Sequence, residues 1–357
     1  MKILQVITTL QTGGAEKIVV DLSLALMKMG HQVDVAVFCG GDTTFKRLLV
    51  ESGCRVIELS QSKNVYSISH LFKLRKLMRN YDVIHTHNTS PQMYAAIGNV
   101  GLHHKLVTTE HSTNNRRRDW KWYRPIDRWM YRQYNHVVCI SEIAEEKLKE
   151  YLKRDSKTIS TINNGVDVNK FSIASSLEEL HDDMTFKVVM VAGFREAKDQ
   201  DTLIKAISQL PENYVLWLVG DGVRRPDLEK LIAELHVTRR VRLFGLRSDI
   251  PNILKSADVV VMSSHWEGLS LSNIEGMSAG KPFIASDVNG LREVTKGYGL
   301  LFPHEDADAL AQELQRLHDD KEYYQQVADA CYRRALQFDI NKMVSAYNDV
   351  YRQLVAE

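Results

Sequence analysis

At 357 residues, with 44% hydrophobic and 25% charged, the chain is ordinary globular material long enough for two domains with separate cores. Its longest apolar runs, about eight residues, fall short of the roughly 18–20 that span a bilayer. Its four cysteines, Cys39, Cys54, Cys139 and Cys331, show no CxxC spacing, so reduced, buried thiols are expected rather than a disulfide framework or a zinc site. The net charge of +1 conceals a division, because residues 1–164 hold 24 Lys/Arg against 15 Asp/Glu while residues 165–357 hold 22 against 30. A first half of net +9 suits an anionic partner, a phosphorylated substrate or a membrane surface, unless these charges are merely solvated faces.

The opening MKILQVITT has neither the apolar core nor the small-residue cleavage site of a signal peptide. It reads as a first strand, and a cytoplasmic protein is expected. The next segment, AEKIVVDLSLALMKMG, repeats Ile18, Leu22, Ala25, Leu26 and Met29 at helical spacing, with Gly30 placed as its stop. The strand-like runs QVDVAVF, RVIEL, DVIHTH, KLVTTEH, HVVCIS and TISTIN follow, each separated by a helical stretch. After NNGVDVNKF and the acidic SSLEELHDD the pattern restarts, with FKVVMVA, YVLWLVG, RVRLFG, DVVVMSS and KPFIAS. Repeated βα units imply parallel sheets covered on both faces. Two tandem Rossmann-like, doubly wound α/β domains are therefore expected, over residues 1–164 and 165–338, with a ligand cleft between them at the carboxyl ends of the strands. Residues 339–357 read as a last helix that docks where a groove is offered, expected to be on the first domain.

The chemistry-bearing residues sit just after strands. Gly13-Gly14 opens a helix, so backbone N–H groups there could face an anion, but the third glycine of GxGxxG is missing and a tight βα turn explains the pair as well. Gly220 and Gly222 in VGDGVRR carry the same two readings. Arg195 and Lys198 in GFREAKD stand at the start of a helix, where cations oppose the helix dipole; a diphosphate would supply the compensating charge. In HWEGLSLSNIEGMSAGKP, Glu267 lies in a loop and Glu275 about one turn inside the following helix. Two carboxylates so placed suit the hydroxyls of an extended ligand better than acid–base work on one bond. His111 ends KLVTTEH, while His85 and His87 share one face of their strand. With no carboxylate or cysteine spaced to complete a set, no metal is expected at these histidines.

The segment NNRRRDWKWYRPIDRWMYRQY is the most unusual in composition. It holds Arg116, Arg117 and Arg118, and at about 100° per residue Lys121, Arg124, Arg128 and Arg132 would form one stripe with tryptophans at its margins. Pro125 more naturally begins a helix than continues one. Three readings stay open: contact with anionic lipid headgroups, an aromatic face packed on the sheet, and nucleic-acid binding, which no accompanying module supports. LFKLRKLMRN, with Lys73, Arg75, Lys76 and Arg79, could extend such a patch.

Taken together, GGAE after the first strand, DVIHTH, TEH, NNGVD, FREAKD, VGDG and above all EGLSLSNIEGMSAGKPFIASDVNGLREV resemble the family 4 glycosyltransferases of the GT-B fold. These are retaining enzymes that use nucleotide-activated sugars, and the resemblance covers nearly the whole chain. It implies that Glu275 binds ribose hydroxyls, that Glu267 contacts the transferred sugar, and that backbone N–H groups from Gly268, Leu269, Ser270 and Leu271 approach sugar and diphosphate. It further implies that Lys198 with Arg195 neutralises the leaving diphosphate without a metal or other cofactor. Gly14 would border the phosphates with Gly220 nearby, His111 would face the sugar, and Leu246 would wall the base.

Many relatives carry Arg where this chain has Gly193, and Arg195 is expected to reach the same diphosphate. The expected partners are a nucleotide sugar, a glycan or lipid-linked acceptor and an anionic membrane surface touched by Arg117, Lys121, Arg124, Arg128 and Arg132, but no nucleic acid. The place expected is the cytoplasm or the inner face of the membrane, in lipid-linked or surface-glycan assembly. A non-catalytic nucleotide-sugar-binding subunit and a sugar-nucleotide epimerase on the same fold are the alternatives.

Overall fold

The computed structural model describes residues 1–11, 13–111, 118, 120–153, 158–267 and 270–356. The chain forms two compact units, Met1–Gly165 with Ile340–Glu357, and Val166–Asp339. The first contains strands β1 (Lys2–Ile7), β2 (Gln32–Val37), β3 (Arg55–Glu58), β4 (Val83–His87), β5 (Lys105–Glu110), β6 (His136–Cys139) and β7 (Ile159–Thr161). They form one sheet in the order β3-β2-β1-β4-β5-β6-β7. The second contains β8 (Phe186–Val191), β9 (Tyr214–Val219), β10 (Val241–Gly245), β11 (Val259–Met262), β12 (Phe283–Ser286) and β13 (Leu300–Phe302), in the order β10-β9-β8-β11-β12-β13. All these pairings are parallel.

The strands form where apolar residues run without alternation. Ile3, Leu4, Val6 and Ile7 are all fully buried, as consecutive residues must be when helices cover both faces of a sheet. The helix Gly14–Lys28 buries Ile18, Val19, Leu22 and Leu26 against this core. It stops because Gly30, at φ +85, lets the chain turn so that the His31 N–H donates to the Leu26 carbonyl at 3.1 Å. In the second unit, Val188, Leu218, Val260, Ile274 and Phe283 form the corresponding core.

The closing helix, Ile340–Ala356, belongs to the first unit. It buries Tyr347 and Tyr351 completely, and Asn348 meets His31 at 2.8 Å. Where the chain enters it, Gly165 lies so close that a Cβ would sit 2.7 Å from the Ile340 Cα.

In each sheet the strand order reverses once, between β1 and β4 and between β8 and β11. There the loops leave in opposite directions and open a crevice at the carboxyl ends of the strands. Beside the second crevice, Gly220 (φ +142) follows β9, and a Cβ there would lie 2.0 Å from the Ala192 carbonyl oxygen. At Gly222 it would lie 2.4 Å from that of Phe194. Close packing of two loops thus explains both glycines. Gly220→Ala should lower unfolding stability by ~2–4 kcal/mol in urea titration, since backbone must move and the dihedral is strained. Gly14→Ala, with nothing within 4 Å of the new methyl, is the matched control and should stay within about 0.5 kcal/mol.

Candidate active site

The second crevice assembles from two loops. After β8 the chain runs through Arg195 into a short 3-10 turn, Glu196–Lys198, and then reaches Asp199 in the left-handed region at φ 45. The Asp199 side chain caps the helix Gln200–Gln209 by accepting from the Thr202 N–H at 3.2 Å. After β11 come Ser263, Ser264, His265 and Glu267, and then the helix Leu271–Ser278. Because β8 and β11 are sheet neighbours, these loops lie side by side and are tied together. The Ser263 hydroxyl donates to the Asp199 carbonyl at 2.6 Å, and the His265 N–H donates to the Ala197 carbonyl at 2.9 Å.

Across this tie, the Lys198 ammonium pairs with the Glu267 carboxylate. The Ser264 hydroxyl donates to the same Oε1 at 2.8 Å. The two charged side chains are only 23% and 11% exposed, so removing either leaves the other poorly solvated. Lys198 and Glu267, matched on opposite sides of a crevice, are therefore held by each other and by Ser264. Arg195 is exposed, and its Nε lies 3.8 Å from the point where a Cβ on Gly193 would be. Glu275 is half-buried in the helix Leu271–Ser278, Ser270 is buried at that helix's start, and Leu271 is its first residue. Leu246 is 82% exposed, and Gly14 begins the helix Gly14–Lys28 with open space beside it. Gly268 and Leu269 lie outside the described residues.

In the first unit, His111 follows β5 and belongs to a polar relay. Its Nε2 is 2.9 Å from His87 Nδ1, and His87 Nε2 is 2.8 Å from Gln5 Oε1. With the Gln5 oxygen accepting, His87 carries its proton on Nε2 and accepts at Nδ1, so neutral His111 donates from Nε2 and keeps Nδ1 as an acceptor. His85 stacks beside His87 at 4.1 Å between ring centroids, meets the Tyr351 hydroxyl at 2.6 Å and Thr109 at 2.8 Å. Desolvation lowers the affinity of all three imidazoles for a proton, with His111 pushed down to about 4 although Glu110 opposes the shift.

Glu110, also buried, accepts from Tyr131 at 2.5 Å, Gln92 at 3.0 Å and Arg118 at 2.9 Å, which anchors the strand end carrying His111. Neither this anchor nor the contribution of Tyr351, 346 residues from Gln5, had a local sequence signal beyond the alternating His85 and His87. Ser264 likewise had none.

The basic segment differs from a single stripe. Lys121 lies in a 3-10 turn, Lys121–Tyr123, and the α-helix starts only at Arg124, with Pro125 in its first turn as proline chemistry favours. Arg124 is engaged internally: it donates twice to the Tyr151 carbonyl, at 2.9 and 2.6 Å, and lies over the Tyr151 ring. Arg128 is half-buried and Arg132 exposed, while Trp120, Trp122 and Trp129 face solvent at 52%, 68% and 39% exposure. The tryptophans thus do not pack inward, whereas Tyr131 and Tyr134 of the same segment are buried in the core of the first unit. Arg117 and the Lys121 side chain lie outside the described residues.

Two doubly wound parallel sheets, each with one reversal, define the GT-B fold. Residues 12–170 match the glycosyltransferase family 4 model, and residues 174–334 match glycosyl transferases group 1. The chain belongs to the GT-B glycosyltransferases and is a glycosyltransferase enzyme. It is 29% identical to the Escherichia coli UDP-Gal:alpha-D-GlcNAc-diphosphoundecaprenol alpha-1,3-galactosyltransferase, across 94% of this chain and 89% of the relative. It is 26% identical to the Campylobacter jejuni GalNAc-alpha-(1->4)-GalNAc-alpha-(1->3)-diNAcBac-PP-undecaprenol alpha-1,4-N-acetyl-D-galactosaminyltransferase, across 100% and 99%. The crystal structure of Anabaena HepE in complex with UDP-glucose shares the fold, with a TM-score of 0.85 at 22% identity over 99% of this chain and all of that one.

The histidine relay has a measurable consequence. Its imidazoles bind protons less tightly when folded than the ordinary unfolded value near 6.5. Their stabilisation is present above that value and is lost as pH falls through the folded values, about 4 for His111. Urea unfolding between pH 7 and 5 should show stability falling by ~1 kcal/mol or more per pH unit below 6.5, with a shallower slope in His111→Gln. A flat profile would contradict neutral burial.

Proposed function

We propose that this enzyme transfers a hexose or related sugar, with retention, from a uridine diphosphate sugar to a hydroxyl of a lipid-linked glycan at a membrane surface. The observation that carries the donor reading is the Lys198–Glu267 pair at the strand-order reversal of the second sheet. In the reaction the glycosidic carbon parts from the diphosphate oxygen, and negative charge grows on the leaving group. In this reading Lys198 and Arg195 take that charge, joined by the N–H groups at the start of the helix Leu271–Ser278, where Ser270 and Leu271 stand. Glu267 accepts hydrogen bonds from the sugar, and Glu275 from the ribose. Support for Arg195 in place of an arginine at 193 comes from its Nε, which flanks the direction a residue-193 side chain would take.

In this reading Lys198 and Arg195 offset the diphosphate charge where a metal ion would otherwise stand. As the family resemblance implies, Gly14 is assigned to the phosphates, Gly268 and Leu269 to the sugar, and Leu246 to the base. On the acceptor side, His111 presents Nδ1 as an acceptor for a sugar hydroxyl. The uridine is supported by the UDP-galactose donor of the E. coli relative and the UDP-glucose complex of HepE, and the lipid-linked acceptor by the undecaprenol-linked acceptors of the E. coli and C. jejuni relatives. Lys198→Ala should cut turnover by about 100- to 1000-fold, the usual cost of one preorganised donor, while leaving the circular dichroism spectrum unchanged. Near-normal turnover would remove the assignment. If the wild type releases no nucleoside diphosphate from any donor, a binding subunit is indicated; a changed sugar still on its nucleotide would indicate an epimerase.

Among the described residues no helix is long and apolar enough to cross a membrane. The helices Ile68–Met78, Thr89–Gly98 and Arg124–Arg132 pack in succession; Phe72, Lys76, Trp129 and Arg132 on them, Arg79 just after the first and Trp122 just before the last are exposed. Interfacial aromatics beside cations suit anionic headgroups. Flotation should recover the protein with phosphatidylglycerol vesicles and not with phosphatidylcholine, and Trp122→Ala with Arg132→Ala should reduce recovery. Equal recovery on both lipids, or none, would overturn electrostatic attachment.

A further inference from the structure

Three loops at the carboxyl end of the second sheet bring together side chains that the transfer reaction does not use. Asp199 follows β8, His265 follows β11, and His304 with Glu305 follows β13. His265 Nδ1 lies 2.7 Å from His304 Nε2, 3.9 Å from Asp199 Oδ2 and 3.4 Å from Glu305 Oε1. His304 Nε2 is 3.9 Å from the same Glu305 oxygen. One donor atom each from Asp199, His265 and His304 falls within a 4.8 Å sphere of mutual distances.

A hydrogen bond between the two imidazoles accounts for the shortest separation and nothing else. Asp199 is 3% exposed, and its Oδ2 is buried with no hydrogen-bond partner among the described residues. Its other oxygen already serves the helix cap. A buried carboxylate oxygen without a donor carries an uncompensated desolvation cost. Burial also raises the proton affinity of this carboxyl.

We propose that Asp199, His265 and His304, with Glu305 as a fourth ligand, bind one divalent transition-metal ion of borderline softness, zinc being the best match. Two imidazoles and two carboxylates form a tetrahedral nitrogen–oxygen set for such an ion. Ligands about 2.0–2.2 Å from a tetrahedral centre stand about 3.2–3.6 Å from one another. The observed separations of 2.7, 3.4 and 3.9 Å from His265 Nδ1 straddle that spacing. The ion has a route in, because Asp199, His265 and Glu305 line an open cavity of about 480 Å³ with Glu196 and Arg224. Arg224 is held by a two-point pair with Asp201, at 2.6 and 3.0 Å; of the other charged groups lining the cavity outside the proposed ligand set, Glu196 is acidic and Lys205 basic.

The ion clamps loops and takes no part in neutralising the diphosphate. Asp199 adjoins Lys198 in sequence, and His265 is two residues before Glu267. Fastening the first pair fixes the backbone beside the second. The site stands on these side chains whichever sugar is transferred, so its failure and the failure of the transfer reading are separate results.

The test uses the full chain, stripped with chelator and free of nucleotide. Zinc titrated in competition with a chromophoric chelator should bind at one ion per chain, and cobalt should give the intense visible absorption of a tetrahedral site. His304→Gln and His265→Gln should each weaken zinc binding by more than about tenfold and abolish the cobalt bands. Zinc should raise the melting temperature of the wild type and leave that of His304→Gln unchanged. His304 is half-exposed at 39%, so that variant keeps its fold, which circular dichroism verifies. No bound ion, or equal zinc binding in wild type and both variants, would overturn the site and assign any residual binding to scattered surface histidines.

Discussion

The arrangement of the second unit depends on an ammonium and a carboxylate being kept together where water is scarce. Lys198 and Glu267 come from different loops, and each would be costly to leave alone at this depth. What makes the pair affordable is the tie beneath it, in which Ser263 and the His265 N–H satisfy carbonyls of the opposite loop and Ser264 shares the Glu267 charge. The glycines at 220 and 222 belong to the same construction. They let the end of β9 press against the loop after β8, so the backbone that carries Arg195 and Lys198 is supported from behind.

The first unit meets a similar problem with neutral groups. Gln5, His85, His87, Thr109, Tyr347 and Tyr351 are all buried, and each finds a partner among the others or in His111. A closed network of this kind costs little when complete and much when broken. It also gives the last helix a function beyond covering the sheet. Tyr347 and Tyr351 supply hydroxyls without which His85 and Thr109 would lose partners, so the C-terminal residues help orient the imidazole of His111 through two intermediates.

Parallel α/β architecture was legible in uninterrupted apolar runs such as VVVM at β11, because burial on both faces leaves no alternation to read. The helix stop at Gly30 was equally plain, since a left-handed residue after an amphipathic stretch is a local signal. Position in the loops after strands also directed attention to Arg195, Lys198, Glu267 and Glu275. The aromatic basic segment was less legible. Its composition suggested one continuous stripe, but Pro125 starts the helix late and Arg124 turns inward to the Tyr151 carbonyl, a partner 27 residues away.

By itself, then, the sequence determined the classes of element, their alternation, and the chemical types standing after each strand, because periodicity, capping and turn preference operate over windows of a few residues. Tertiary structure alone decided that Lys198 meets a carboxylate 69 positions later, that His87 accepts from His111, and that Asp199, His265 and His304 converge. Those encounters follow from the order in which strands pair. That β8 lies between β9 and β11 is settled by long-range packing of the whole sheet, and no short stretch of chain records it.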